Sequence, residues 1–175
     1  GSNHDNALPV AFDYLNYLGT SEKSAEDIKR AFYEMACSFY ASVSQNTCTI
    51  TLSGLAENME PALELLLELG LDAQPDEVVY KSLVNNILKN RTDIKTDQRT
   101  CFQRLQMYVQ YGPENPSTLL IPEKDLVETE PATLTEKIRD LLSYQVDVYY
   151  YGPESIEKAG EIFTSVYPVP DAPLQ

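Results

Sequence analysis

The spacing of apolar residues constrains this chain most. They recur every three or four positions through most of its length and alternate in only two short stretches. Leu8, Ala11, Phe12, Leu15 and Leu18 open the pattern, so a helix is predicted over 8–18 with Gly19 as its stop. Ser24, with Glu26 and Asp27 behind it, reads as the N-cap of a second helix. Ile28, Phe32, Met35, Ala36 and Phe39 continue that helix at helical spacing. A tight connection, "GTSEKS", separates the two.

Alternation takes over in "FYASVSQNTCTITLSGL", where Ala41 and Val43 precede Ser44-Gln-Asn46 and Cys48, Ile50 and Leu52 follow. That is the pattern of a β-hairpin. Glu57 or Asn58 then opens a helix with Pro61 in its first turn and Gly70 at its end. Pro75 and neighbouring acids open another, whose stripe is Val79, Leu83, Ile87 and Leu88. Thr96 is expected to cap a helix over 97–111 that Gly112 stops, followed by the turn-rich "GPENPST". "IPEKDLVE" and "ATLTEKIRDLLS" read as helices, "QVDVYYYG" as a strand stopped by Gly152-Pro153, and "PESIEKAGEIFTSVY" as a last helix. The expected class is α+β: helices packed on a small antiparallel sheet whose first strands are missing, in one domain over 1–167. The Pro-rich 168–175 reads as an exit linker.

Charge narrows the function. There are 13 basic residues against 27 acidic ones, a net of -14. A nucleic-acid partner needs a basic footprint and an anionic membrane surface attracts basic segments, so neither is expected. The acid excess reads as a solvated surface, or as a face for a basic peptide. Cys37, Cys48 and Cys101 have no paired spacing, which predicts buried free thiols rather than a disulfide framework or a metal clip. The only histidine, His4, precedes the first helix and cannot support a nucleophile–His triad on its own. No Gly-rich phosphate loop and no G-x-S-x-G elbow occurs. The run "ELLLEL" is too short and too acidic for a membrane span.

Several phrases, in this order, resemble the pitrilysin/insulinase family of zinc metallopeptidases: "AFDYLNYLGT", "TLSGLAENMEPALELL", "VNNILKNR", "MYVQYGPENP" and "VYYYGP". Members carry H-x-x-E-H on the helix entering the "LGT"-like turn, and a further Glu on a later helix. The resemblance puts the first His at Val10, the Glu at Asp13, the second His at Tyr14 and the later Glu at Asn86. Val10 has no donor atom, Tyr14 is protonated at neutral pH, and Asn86 offers a neutral amide. Asp13 keeps a carboxylate but has no metal to poise a water. Catalytic zinc needs three protein ligands, and none of the three expected survives.

The resemblance therefore implies the first domain of a non-catalytic half, with a mitochondrial-processing-peptidase-like fold. It implies no catalytic residue and no metal in this chain, with zinc in the catalytic half of a parent metalloendopeptidase. It further implies a wall of the substrate chamber, docked on the catalytic half and meeting a peptide substrate. Two alternatives remain open. One is a scaffold subunit of a larger complex; the other is an enzyme with a relocated site using Asp13, Tyr14 and His4. Free thiols suit the cytoplasm and bacterial members are often periplasmic, so the compartment stays open.

Overall fold

A computed structural model describes residues 5–44, 47–115, 117–141, 144 and 146–167. The expected His4 and the exit linker over 168–175 lie outside the described residues, as do Gln45 and Asn46 at the hairpin tip. The order is α1 (Leu8–Leu15), α2 (Ala25–Glu34), β1 (Ser38–Val43), β2 (Cys48–Ser53), α3 (Met59–Asp72), α4 (Glu77–Asp93), α5 (Gln98–Tyr111), α6 (Glu123–Glu128), α7 (Pro131–Asp140) and α8 (Ile156–Val166). The class is α+β, as expected. Among the described residues the sheet is smaller than expected: β1 and β2 pair antiparallel, from Ser38 opposite Ser53 to Val43 opposite Cys48.

"QVDVYYYG" is the main correction. Residues 146–151 take no strand assignment, although their β-branched and aromatic composition codes for one. A strand needs a neighbour to receive its backbone hydrogen bonds, and no described strand lies beside this segment.

Boundaries moved for local reasons. α1 stops at Leu15 rather than Leu18, because the backbone tightens into i→i+3 bonds: Tyr17 N–H donates to Tyr14 at 2.9 Å and Leu18 N–H to Leu15 at 3.2 Å. α2 begins where Ser24 predicts, in a reciprocal capping box with Asp27. It ends at Glu34, since Ala36 turns left-handed (φ +49°) and sends Phe39 into β1. Gly70 does not end α3, which continues to Asp72. Asp97, not Thr96, caps α5 by accepting from Thr100 N–H at 2.7 Å, and Gly112 closes that helix at φ +80° as expected. Of the thiols, Cys37 is buried but Cys48 and Cys101 are exposed, which corrects the expectation of burial for those two.

The core collects α1, α3, α4 and α7. Val10, Ala11, Phe12, Tyr14 and Leu15 of α1 meet Ala62, Leu65 and Leu69 of α3, Tyr80, Leu83 and Val84 of α4, and Leu134 and Ile138 of α7. α1 packs chiefly on α7. Fully burying one such aliphatic side chain contributes about 1.5–3 kcal/mol, so this cluster anchors the domain. The connection after α1 is locked to it. Gly19 has no room for a side chain, because a Cβ there would press on the backbone of Lys23, Ser24 and Ala25. Its carbonyl accepts from Gln74 N–H at 2.9 Å. Thr20 is buried, and its hydroxyl reaches Glu68 of α3 at 3.2 Å while accepting from Lys23 N–H at 3.1 Å. The Lys23 ammonium closes the loop on Glu68 at 2.6 Å. The "LGT" phrase is thus a tight turn clamped on α3.

Candidate functional site

α1 carries Val10, Asp13 and Tyr14, where the resemblance expects a zinc motif, and its periodicity sets where each side chain goes. Val10 and Tyr14, four residues apart, lie on one helical face and are both buried. Asp13, one residue before Tyr14, falls on the solvent side. Partial desolvation pushes its carboxyl above the ordinary range.

Tyr14 is completely buried and its hydroxyl is fully engaged. It donates to the Asp76 carbonyl at 2.8 Å and accepts from the Asp76 N–H at 2.7 Å. Asp76 is itself the N-cap of α4, its carboxylate accepting from Val78 and Val79 N–H at 2.8 and 3.0 Å. The phenol therefore pins α1 to the start of α4. Burial, the larger effect, pushes its ionisation above the usual tyrosine value. A phenol that stays protonated, with donor and acceptor capacity both in use, offers nothing to a metal.

α4 supplies a neighbour that sequence reading missed. Tyr80, one turn past Asp76, packs edge-on against Tyr14 with ring centroids 5.4 Å apart, and donates to the Leu126 carbonyl of α6 at 2.7 Å. The available signal was the spacing: Asp76, Tyr80 and Leu83 lie at i, i+4 and i+7 on one face. Asn86 lies further along α4. It is exposed and shares a shallow groove with Tyr17, Val79, Ser82 and Leu83. The structure thus brings together Val10 and Tyr14 of α1 and sets Tyr80 against Tyr14. Asp13 points to solvent, and Asn86 lies in the groove beside Tyr17.

The donor set does not fit zinc. Among the described residues no three His, Cys, Asp or Glu side chains gather into a group able to hold a metal ion. Val10 and Tyr14 are hydrocarbon and engaged phenol. What the arrangement does chemically is structural: a hydrophobic helix face with one polar bolt.

The fold is one that occurs in proteases. Over 99% of its length the chain is similar to the periplasmic protease PqqL from Escherichia coli (TM-score 0.66, 18% identity), of which it spans 21%. It is likewise similar to a protease from Helicobacter pylori (TM-score 0.64, 14% identity, 97% of this chain and 42% of that one). A third likeness is to a variant of the ferredoxin protease FusC, solved in complex with Arabidopsis ferredoxin (TM-score 0.59, 14% identity, 76% of this chain and 15% of that one). The chain therefore spans less than half the length of each. No protein-family model and no curated protein sequence matches it.

Proposed function

We propose that this chain is a non-catalytic, peptidase-like domain of the pitrilysin/insulinase type. It forms part of the wall of a substrate chamber and docks on a zinc-bearing catalytic half. The observation that carries this reading is Tyr14. At the place where the family resemblance expects a zinc-ligating His stands a buried phenol, bonded through both of its capacities to the backbone of Asp76. The position has become a joint between two helices in a fold otherwise found in proteases. Retaining the frame while replacing the ligands suits a domain whose contribution is shape. Peptide substrate and catalytic half are its proposed partners, and zinc belongs to the latter.

The test is metal and activity measured together. The purified chain, dialysed against zinc and analysed by plasma emission, should retain no stoichiometric metal and cleave no peptide. Added to the catalytic half, it should raise kcat/KM for peptide substrates. One chelator-removable zinc per chain, with peptidase activity lost on its removal, would sink the proposal. A catalytic half equally active without this chain would favour the scaffold alternative.

A further inference from the structure

α5 is an unusual helix in this molecule: it has fourteen residues, none of them buried. Its apolar side chains are not scattered. Phe102, Leu105, Tyr108 and Val109 lie on one stripe, at i, i+3, i+6 and i+7, and each is more than half exposed. An isolated helix of this length is marginal in water, and α5 is held by Asp97 at one end and by the Ile94–Thr96 turn before it. Such a stripe marks an interaction surface.

Charge indicates what covers it. In a chain of net charge -14, α5 carries Arg99 and Arg104 and no acid. Among the described residues neither arginine has an ion-pair or hydrogen-bond partner. Two α5 stripes facing each other would juxtapose like charges, so α5 does not pair with itself.

The same chain holds a second exposed apolar stretch with the opposite sign. Val148, Tyr149, Tyr151 and Ile156 are all more than half exposed, Tyr149 at 91%. Asp147 and Glu161 flank them, exposed and, among the described residues, without a salt bridge, while the one basic residue there, Lys158, is bonded to Glu154 at 2.8 Å. This is also the strand-coded segment that has no strand beside it.

We propose that α5 docks on residues 147–161 of a second copy of this chain. Leu105 and Val109 cover the tyrosines, and Arg99 and Arg104 meet Asp147 and Glu161. Each copy offers one surface of each kind, and the proposed assembly makes both contacts reciprocally, as a two-fold dimer. The proposal is independent of the peptidase-like reading, which requires no self-association.

Light scattering and sedimentation of the intact chain decide it. A mass twice 19.7 kDa is expected by about 100 µM protein, weakening as salt rises. Val109→Glu should raise the dimer dissociation constant about tenfold or more, with unchanged circular dichroism and, in dilute solution where the parent is monomeric, an unchanged melting temperature. Arg104→Glu should also weaken the dimer, and adding Glu161→Arg to that variant should restore it. A monomer at every concentration would overturn the proposal. So would a dimer indifferent to Val109→Glu, open-ended growth, or failure of the charge exchange to rescue. Loss of the dimer at Arg104→Glu with rescue by Glu161→Arg would establish the pairing.

Discussion

α1 and α5 look alike on paper. Both are amphipathic, both have helix-terminal signals, and both carry tyrosines and aliphatic residues at helical spacing. In the structure they are opposites. Five of the eight residues of α1 are buried, whereas α5 buries none of its fourteen. The periodic stripe tells which face wants a partner; it does not tell whether the partner is in the same chain. α1 finds α7, β1 and α4. Among the described residues α5 packs chiefly on the turn before it.

The contrast predicts very different mutational costs. The largest effect belongs to Tyr14→Ala, which removes a fully buried ring and the hydroxyl that bonds both polar groups of the Asp76 backbone. It should cost about 3–5 kcal/mol, read as loss of midpoint in urea unfolding. Leu134→Ala, in the helix that covers α1, should follow at about 2–5 kcal/mol. Equal sensitivity of the α5 stripe to truncation would erase the distinction between the regions.

Tyr14→Phe isolates the bolt from the ring. It leaves the packing and removes the partner of the Asp76 N–H, while the Asp76 carbonyl keeps Tyr80 N–H at 2.9 Å; the expected loss is about 0.5–1.5 kcal/mol. If Phe is as stable as Tyr there, the hydrogen bonds to Asp76 are not what fixes α1 on α4. Gly19→Ala should likewise destabilise, since backbone rather than a flexible side chain occupies the space a Cβ needs.

Acid sharpens the comparison from another side. The carboxyls of Asp27, Asp72 and Asp97 are held below their ordinary value, first by hydroxyl hydrogen bonds from Ser24, Ser21 and Thr100 respectively. A depressed folded value means these groups stabilise the fold above the unfolded carboxylate range. That contribution is lost as pH falls through the folded values. Thermal melts between neutral pH and pH about 3 should therefore decline at the acid end, and Ser21→Ala and Ser24→Ala should flatten the decline. Asp13 runs the other way. Its raised value disfavours the charged form in the folded state, so Asp13→Asn should help at neutral pH and be neutral once the carboxyl is protonated.

The smallest effect is expected on α5. Val109→Ala should stay within about 0.5 kcal/mol of the parent in dilute solution. A larger loss there at low concentration would mean that the stripe is covered within one chain.

Much of this fold was legible because its signals are local. Ser24 with Asp27, Pro61 and Gly112 act within a turn of the chain, and each does in the structure what its chemistry dictates. The hairpin followed from alternation, and β1 and β2 form over it. Misplaced ends also have local causes. Gly70 has open space around it and no need of a left-handed conformation, so α3 passes through it. Thr96 lost the cap to Asp97, whose carboxylate is one residue better placed.

What sequence could not show is which surfaces meet. Val10, Asp13 and Tyr14 could be laid on a helix by counting. That Tyr14 turns inward to grip Asp76, sixty-two residues away, depends on the packing of α1 against α4. Tyr80 went unnoticed for the same reason: its significance is its distance from Tyr14, which no local pattern encodes. Residues 146–151, Asp147 apart, are types that favour a strand, yet a ladder requires two partners. The sequence by itself determined the periods, the charge and most of the caps, because these are properties of residue types and short spacings. Only the tertiary structure decided that one amphipathic helix is core and another is open surface, because burial is a relation between distant segments.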